Sequence, residues 1–318
     1  MKGLSKDAAS QHEIGEDAEG QRIDNYLARI LKGVPRAHVY RILRSGEVRV
    51  NSRRVDASHR LALGDRVRMP PIRTAVPALV QNSRKAASVQ IPVLYEDEAI
   101  LAIDKAAGLA VHGGSGISLG AIEALRAQRP EARFLELVHR LDRDTSGVLL
   151  VAKKRSALTA LHAQLREGRV GKRYLALVAG TWRHGRRSVK EALAEFTLAS
   201  GERRVRVQDG GRYAHTDFSL VERYDGYSLL AAELKTGRTH QIRVHLQHLD
   251  HPIVGDAKYG DYERSRALAK QGFKRMFLHA ARVAFEHPVS KARLVVESPL
   301  SAELQTFLDG LPAEAVTS

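Results

Sequence analysis

The sequence contains no cysteine, and this absence excludes several kinds of site. Without a thiol, the 318-residue chain cannot form disulfides, use a thiolate nucleophile or bind zinc through cysteine. No apolar run approaches the roughly 18 residues that a membrane span requires. The first residues also lack the apolar segment of a secretory signal peptide, so we expect a cytoplasmic protein.

Two common enzyme signatures are absent as well. The chain has neither the G-x-x-x-x-G-K-[ST] pattern of a phosphate-binding loop nor the G-x-S-x-G pattern of a nucleophilic serine. His245, His248 and His251 follow a three-residue spacing, but no cysteine or glutamate accompanies them, so they do not indicate a metal site. We find no internal repeats.

Acidic residues are scarce relative to basic ones. The chain carries 51 Lys and Arg against 36 Asp and Glu, a formal net charge of +15. Such an excess suits a polyanion, with nucleic acid as the leading candidate and an anionic membrane surface as the rival. The basic residues punctuate several predicted helices and strands rather than one long amphipathic helix, which favours nucleic acid.

The charge is unevenly distributed along the chain. Residues 1–20 contain two Lys against five Asp and Glu, whereas residues 21–80 contain 13 Arg and Lys against four Asp and Glu. Prolines accumulate between residues 70 and 92, which indicates a linker. We predict a disordered tail at 1–20, a small basic domain at 21–80, a linker at 81–90, a large domain at 91–310 and a second disordered tail at 311–318.

The small domain begins with two predicted helices. The first starts near Arg22, and the second starts at Pro35 and stops near residues 45–46. On the second helix, basic residues at three- and four-residue steps form a stripe opposite an apolar side of Val39, Ile42 and Leu43. The residues of this stripe that we assign to RNA contact are Arg36, Arg41 and Arg44.

The large domain contains more strands than helices. Residues 93–95 and 100–103 predict two strands, and later strands are predicted at 174–178, 203–207, 216–221 and 229–234. Helices are predicted at 119–128 and 158–166. Because strict βαβ alternation is missing, we predict an α+β protein whose large domain has a mixed, mainly antiparallel sheet flanked by helices.

The most informative segment is residues 139–147, which reads HRLDRDTSG. An apolar run at 148–152 follows, and it predicts a buried strand with the nonapeptide at the rim of the sheet. Arginines flank Asp142 and keep its carboxylate ionised, so it can act as a nucleophile or base. The alternative is a salt-bridged turn without a chemical role.

This nonapeptide resembles the catalytic segment of pseudouridine synthases that modify large-subunit ribosomal RNA and some tRNAs. The resemblance continues through KRYLALV at 172–178, TGRTHQIRVH at 236–245 and FLHA at 277–280, and it covers roughly residues 90–305. Four matches in the family's order are far more specific than one. One departure is visible, since Ala106 stands after Lys105 where the family usually has proline.

The resemblance implies roles for individual residues. Asp142 corresponds to the catalytic aspartate, which either attacks ribose carbon 1′ or removes a proton from carbon 2′. Arg243 corresponds to its ion-pairing arginine, with Arg238 as the alternative partner or as a phosphate contact. Tyr174 corresponds to the tyrosine that stacks on the target base, and Arg140 is expected to fill the space of a flipped-out uridine. The remaining candidate substrate-binding residues are His240, Ile242 and Leu278.

The small domain resembles the S4-type RNA-binding domain, on the order of its helices and on short matches such as residues 45–51 and 64–65. Such domains bind RNA through phosphates and duplex shape. Together the two resemblances imply an RNA pseudouridine synthase with 23S ribosomal RNA or a large-subunit assembly intermediate as substrate. The isomerisation needs no cofactor or metal by its stoichiometry, and we expect a monomer. Two alternatives stay open: a synthase acting on tRNA, and a ribosome-assembly factor that binds RNA without chemistry.

Overall fold

The structure is a computed structural model that describes residues 9–31, 34–72, 88–113 and 119–314. The chain divides into two compact units. The first comprises Met1–Ser88 together with Ala127–Phe134, and the second comprises Val89–Arg126 and Leu135–Ser318. No helix in the described ranges is both long and apolar enough to cross a membrane.

The first unit packs two helices on a three-stranded antiparallel sheet of order β1-β3-β2. The apolar side predicted for the second helix is confirmed, since Val39, Ile42 and Leu43 are at most 3% exposed. Their burial with residues of the first helix forms the core of this unit. The elements are β1 (Ser10–Glu13), α1 (Ile23–Ile30), α2 (Arg36–Arg44), β2 (Arg49–Val50) and β3 (Arg66–Met69).

The prediction of a disordered tail over residues 1–20 is wrong for its second half. Strand β1 pairs in antiparallel register with β3, from Ser10 opposite Met69 to Glu13 opposite Arg66. Ile14 and Ala18 then enter the core at 2% and 1% exposure. The acidic composition of residues 1–20 suggested disorder. The segment nevertheless contains two apolar residues that pack in the core and a strand whose residues alternate in burial. Residues 1–8 and 73–87 lie outside the described residues, and the second range includes most of the linker predicted at 81–90.

A ten-stranded sheet forms the centre of the second unit. Its main path runs β4-β5-β7-β14-β8-β13-β12-β9, with β6 paired to β7 and β15 paired to β14. Every pair is antiparallel except β7 with β14, so the predicted mixed, mainly antiparallel sheet is confirmed. The strands are β4 (Val93–Glu96), β5 (Ile100–Lys105), β6 (Glu136–Leu137), β7 (Ser146–Ala152), β8 (Gly171–Ala179), β9 (Arg186–Val189), β12 (Thr216–Tyr224), β13 (Tyr227–Leu234), β14 (Leu278–Glu286) and β15 (Arg293–Glu297).

A separate antiparallel ribbon of β10 (Leu193–Thr197) and β11 (Arg203–Val207) joins β9 to β12. The predicted helix at 119–128 is observed as α3 (Ala121–Gln128), and that at 158–166 as α4 (Arg155–Arg166), three residues longer at its start. The later helices are α5 (Gln241–His248), α6 (Tyr262–Lys270) and α7 (Ala302–Asp309).

The predicted disorder at 311–318 is also wrong for the described part of that segment. The Pro312 carbonyl accepts a hydrogen bond from the Asp225 amide at 2.9 Å, and Ala313 forms a bridge with Tyr224. Leu311 packs against the apolar cluster beneath α7. Residues 315–318 lie outside the described residues.

Candidate active site

Asp142 lies in the turn that leads into β7, at the rim of the sheet as predicted. All seven residues of β7 are buried, so the strand is a fixed support for this turn. Gly147 allows β7 to approach β14, because its φ is 107° and a Cβ there would lie 2.3 Å from the Ala280 carbonyl oxygen. The close approach of these two parallel strands sets where the Asp142 turn begins.

The buried side chain of Lys105 holds the Asp142 turn in place through hydrogen bonds. Lys105 has no exposed surface, and its ammonium donates to the carbonyls of Ala106, Leu109 and Arg143 at 2.7 to 2.9 Å. Burial lowers the pKa of Lys105 to about 8, and the nearby charges of Asp144 and Asp142 oppose this shift. The three bonds tie the Asp142 turn to the loop after β5, in the segment where the sequence lacks the family's usual proline.

Arg243, on the first turn of α5, links two carboxylates. Its Nη1 donates to Asp142 Oδ2 at 2.9 Å, while Nε and Nη2 donate to the two oxygens of Asp256 at 2.7 and 2.8 Å. The Asp256 side chain is fully buried and also accepts the backbone amides of Lys258 and Tyr259. Asp256 therefore fixes the guanidinium plane so that one edge faces Asp142.

The charges of this cluster stabilise one another. Burial works against both ions, but the hydrogen bonds and charge of Asp256 dominate and raise the pKa of Arg243. Conversely, the Arg243 guanidinium outweighs burial and lowers the pKa of Asp256. Arg238, the alternative partner of Asp142, instead donates its Nε to the Tyr213 carbonyl at 3.0 Å.

His240 faces Asp142 from the residue before α5. The Tyr259 hydroxyl oxygen accepts the Val205 amide and lies 2.8 Å from His240 Nδ1. The other ring nitrogen, Nε2, lies 3.9 Å from Asp142 Oδ2. Burial lowers the pKa of His240, so the ring is neutral near pH 7. The φ of His240 is 53°, in the left-handed region.

Tyr174 stands on β8 with 7% exposure. Burial first, and then the negative charge of Asp142, raise the pKa of its phenol, so the group remains protonated at neutral pH. Ile242 and Leu278 are 4% and 3% exposed and supply apolar surface nearby. An aromatic ring, two aliphatic side chains and a carboxylate form a site suited to a planar base attached to a sugar.

A cavity of about 790 Å³ contains all eight residues predicted for the large domain. Its remaining lining includes the end of α4, Lys235 and Gly237 from the segment between β13 and α5, and Lys172 on β8. Arg140 lies on its exposed rim, while the exposed Asp144 pairs with Arg143 and does not line it. The eight residues are Arg140, Asp142, Tyr174, Arg238, His240, Ile242, Arg243 and Leu278.

The other three predicted residues lie in the first unit. Arg36, Arg41 and Arg44 are exposed on α2, on the side away from its apolar core. Arg41 forms a 3.4 Å ion pair with Glu47, which is itself exposed. The predicted basic stripe is therefore present at the surface of this unit.

Sequence reasoning missed Asp256 and Tyr259, the residues that orient Arg243 and His240. No spacing pattern identifies Asp256, because it lies 13 positions beyond Arg243 in a turn and meets it only in the fold. Within the described residues, no group of three or more His, Asp or Glu side chains is arranged to hold a metal ion. His245 instead bonds to the Thr216 hydroxyl and the Glu191 carbonyl.

Comparisons with known proteins agree with this arrangement. Residues 99–248 match the family model described as RNA pseudouridylate synthase, and residues 21–67 match the S4 domain. The ribosomal large subunit pseudouridine synthase C of Escherichia coli strain K12 is 52% identical over 303 residues, which cover 94% of this chain and 95% of that protein. The protein of the same name from Pasteurella multocida strain Pm70 is also 52% identical, over 94% of this chain and 92% of its own.

Among solved structures, human RNA pseudouridylate synthase domain containing 4 superposes with a TM-score of 0.60 at 25% identity. The match covers 73% of this chain and 97% of the human chain. Human RNA pseudouridylate synthase domain containing 1 gives a TM-score of 0.56, also at 25% identity, over 70% and 96% of the two chains.

Proposed function

Because this chain belongs to the RNA pseudouridylate synthase family, we propose that it converts uridines of 23S ribosomal RNA to pseudouridine with Asp142 as the catalytic residue. The ion pair of Asp142 with a buried Arg243, which Asp256 holds by two hydrogen bonds, in a cavity of about 790 Å³ carries the proposal. The relatives named for the large ribosomal subunit support the choice of substrate. The aligned regions cover 94% of this chain.

The chemistry requires breaking the bond between ribose carbon 1′ and uracil nitrogen 1. In one route an Asp142 oxygen bonds to carbon 1′ as the base departs; in the other, Asp142 takes the carbon 2′ proton and a glycal forms. The base then turns and carbon 5 bonds to carbon 1′, as the bond to Asp142 breaks in the first route or as the proton returns from Asp142 to carbon 2′ in the second. Carbon 5 then loses its proton, and nitrogen 1 of the product carries one. Both routes need a fixed, accessible carboxylate, and the 24% exposed Asp142 side chain held by Arg243 supplies one.

The surrounding residues have matching tasks. The neutral Tyr174 ring stacks on the uracil, and Ile242 and Leu278 form the apolar floor beneath it. A uridine must leave its stack to reach Asp142, and the exposed Arg140 at the rim fills the space it vacates. Arg238 and His240 contact the sugar-phosphate at the cavity mouth.

The first unit binds RNA, and its residues lie apart from the catalytic residues in the sequence. Arg36, Arg41 and Arg44 contact phosphates, which gives affinity without base recognition. We assign this role to the domain predicted at 21–80, and catalysis to the domain predicted at 91–310. The protein acts as a monomer in the cytoplasm, on free rRNA or on an assembly intermediate. Its target uridines are those at positions 955, 2504 and 2580 of 23S rRNA.

Pseudouridine mapping on 23S rRNA and on tRNA tests this function. Each RNA is incubated without cofactor with wild-type protein or with the Asp142→Asn variant. We expect pseudouridine at the three 23S positions with wild type alone. Modification of tRNA alone would overturn the substrate but keep the reaction. RNA binding without any pseudouridine would contradict the proposed reaction and favour a protein that binds RNA without chemistry.

A further inference from the structure

Lys172 is a cation in the active-site cavity to which the reaction described so far assigns no task. Side chains alternate along β8, so Lys172 and Tyr174 share the face that lines the cavity while Arg173 is exposed on the other. Two residues of strand span roughly 7 Å, so the Lys172 and Tyr174 side chains are neighbours on this face.

The Lys172 ammonium has no counter-ion in the part of the chain that the structure describes. No carboxylate forms an ion pair with it, and burial alone lowers its pKa. A Cβ at Gly237 would lie 3.6 Å from Lys172 Nζ, so the ammonium reaches across the cavity to the segment that precedes α5. Arg243 shares two carboxylates and Lys105 is bound by three carbonyls, so Lys172 alone among these buried cations lacks an acceptor.

The proposed reaction creates an anion close to this position. When the bond between carbon 1′ and nitrogen 1 breaks, its electron pair leaves with the uracil, and the charge spreads over nitrogen 1 and the two carbonyl oxygens. Carbon 1′ loses the electron pair of this bond. In one route a new bond to Asp142 replaces it; in the other, the electron pair of the carbon 2′–hydrogen bond replaces it when Asp142 takes the proton. A carboxylate therefore assists in both routes, but the uracil anion still needs a positive neighbour.

We propose that Lys172 supplies this charge, as a catalytic residue whose ammonium pairs with the detached uracil anion and holds it while it turns. The inference rests on the proposed pseudouridine synthase activity. The exposed arginines at the rim, Arg140 and Arg238, are better placed for phosphates because they remain in water. A half-buried ammonium gains most from an anion that forms only inside the cavity, since charge pairs are stronger where water is excluded.

Lys172→Met and its neighbour Arg173→Met form a matched pair for single-turnover measurements on a 23S fragment. Loss of a group that stabilises a developing charge typically lowers the rate about 100-fold. We expect that loss for Lys172→Met at saturating protein, with the RNA Kd within about threefold of wild type, and partial recovery in Lys172→Arg. Arg173→Met should alter Kd more than rate. A Lys172→Met rate within threefold of wild type would overturn the proposal.

A second experiment tests whether the anion that pairs with Lys172 is the uracil base or a backbone phosphate. The fragment is made with an uncharged methylphosphonate in place of the phosphate on either side of the target uridine. If Lys172 pairs with the uracil, the losses from Lys172→Met and from the neutral linkage multiply. If the linkage no longer matters in Lys172→Met, the lysine binds phosphate and the proposal fails. Absence of pseudouridine with wild-type protein would instead contradict the proposed function itself.

Discussion

At the scale of single residues, the site depends on how Arg243 is held. Three of its nitrogens donate to carboxylates, two of them to Asp256 in a planar fork. A lysine ammonium is a point charge that cannot match this geometry while also reaching Asp142. The arginine is therefore a positioning group whose shape matters as much as its charge.

We predict that Arg243→Lys lowers the single-turnover rate about 100-fold, because misplacing a reacting group by about 1 Å has effects of that size. Arg238→Lys serves as the control, since the Arg238 guanidinium donates to the Tyr213 carbonyl and pairs with no carboxylate among the described residues. That change should weaken RNA binding and leave the rate at saturation within about threefold. Equal losses of rate in both variants would refute the distinction between the two arginines.

His139 makes the support of Asp142 sensitive to acid. Its Nε2 accepts the Leu150 amide, so the ring must stay neutral there. Burial first, and then the charge of Lys172, lower the pKa of His139 to about 4, below the 6.5 of an unfolded histidine. Between pH 6.5 and 4 the unfolded chain thus binds the extra proton, so stability from His139 is complete above pH 6.5 and is lost as the pH falls.

Urea unfolding of wild type and His139→Gln at pH 7.5 and pH 4.5 measures this effect. Other groups also titrate in this range, so the informative quantity is the difference between the two proteins. We expect acidification to reduce the unfolding free energy of wild type more than that of the variant. A parallel decline in the two proteins would show that His139 is not a source of acid sensitivity.

At this scale, the residues that line the cavity were easier to identify from the sequence than the residues that orient them. Asp142, Arg243 and Tyr174 belong to recognisable segments, and each lines the cavity. Asp256 and Tyr259 were not singled out, because they meet Arg243 and His240 only in the fold. Lys172 was not singled out either, because its position beside Gly237 in the cavity is set by the fold. A single sequence carries no signal for a contact that only the completed fold creates.

At the scale of secondary-structure elements, the parallel pair β7 and β14 fixes the site. Ser146 and Gly147 lie opposite His279 and Ala280, and His279 Nδ1 lies 2.9 Å from the Ser146 hydroxyl. Alternation and apolar runs predicted most strands and both central helices within a few residues. The parallel pairing was not predictable, since it joins segments more than 130 residues apart.

We predict that Gly147→Ala destabilises the protein by more than about 2 kcal/mol, because a side chain there meets both an unfavourable φ and the Ala280 carbonyl. The matched change Gly185→Ala has open space and an ordinary φ, so it should stay within about 0.5 kcal/mol of wild type. Urea denaturation gives both values. A Gly147→Ala protein as stable as Gly185→Ala would contradict the role of this close strand approach.

At the scale of the whole molecule, we expect the net positive charge to govern RNA affinity. The net charge is +15, and residues 21–80 contribute 13 Arg and Lys against four Asp and Glu. Helix α2 exposes three arginines on one side. The predicted tail at 1–20 shows the limit of composition as a guide: its acidic residues suggested disorder, yet Ile14 and Ala18 anchor it in the core. Two small apolar contacts outweighed the average character of the segment.

Replacing Arg36, Arg41 and Arg44 together with Gln should flatten the salt dependence of RNA binding. Each lost phosphate contact reduces the slope of log K against log salt by about 0.7 to 0.9, so we expect a decrease of roughly 2 to 3. Arg29→Gln is the control, because Arg29 is occupied by an ion pair with Asp17. An unchanged slope in the triple variant would remove α2 from the RNA-binding surface.

The central claim is that Asp142 carries the chemistry, and Asp144 provides a matched comparison two residues away. The direct measurement is the single-turnover rate of pseudouridine formation in a 23S fragment with Asp142→Asn and with Asp144→Asn. We predict at least about a 1000-fold loss for Asp142→Asn with RNA binding intact, as expected when a reacting group is removed. Asp144→Asn removes the 3.1 Å pair with Arg143 and one of the charges near Lys105, but it leaves the pair of Asp142 with Arg243 in place, so its rate should stay within about threefold of wild type. An Asp142→Asn protein that forms pseudouridine at a rate near that of Asp144→Asn would contradict the assignment.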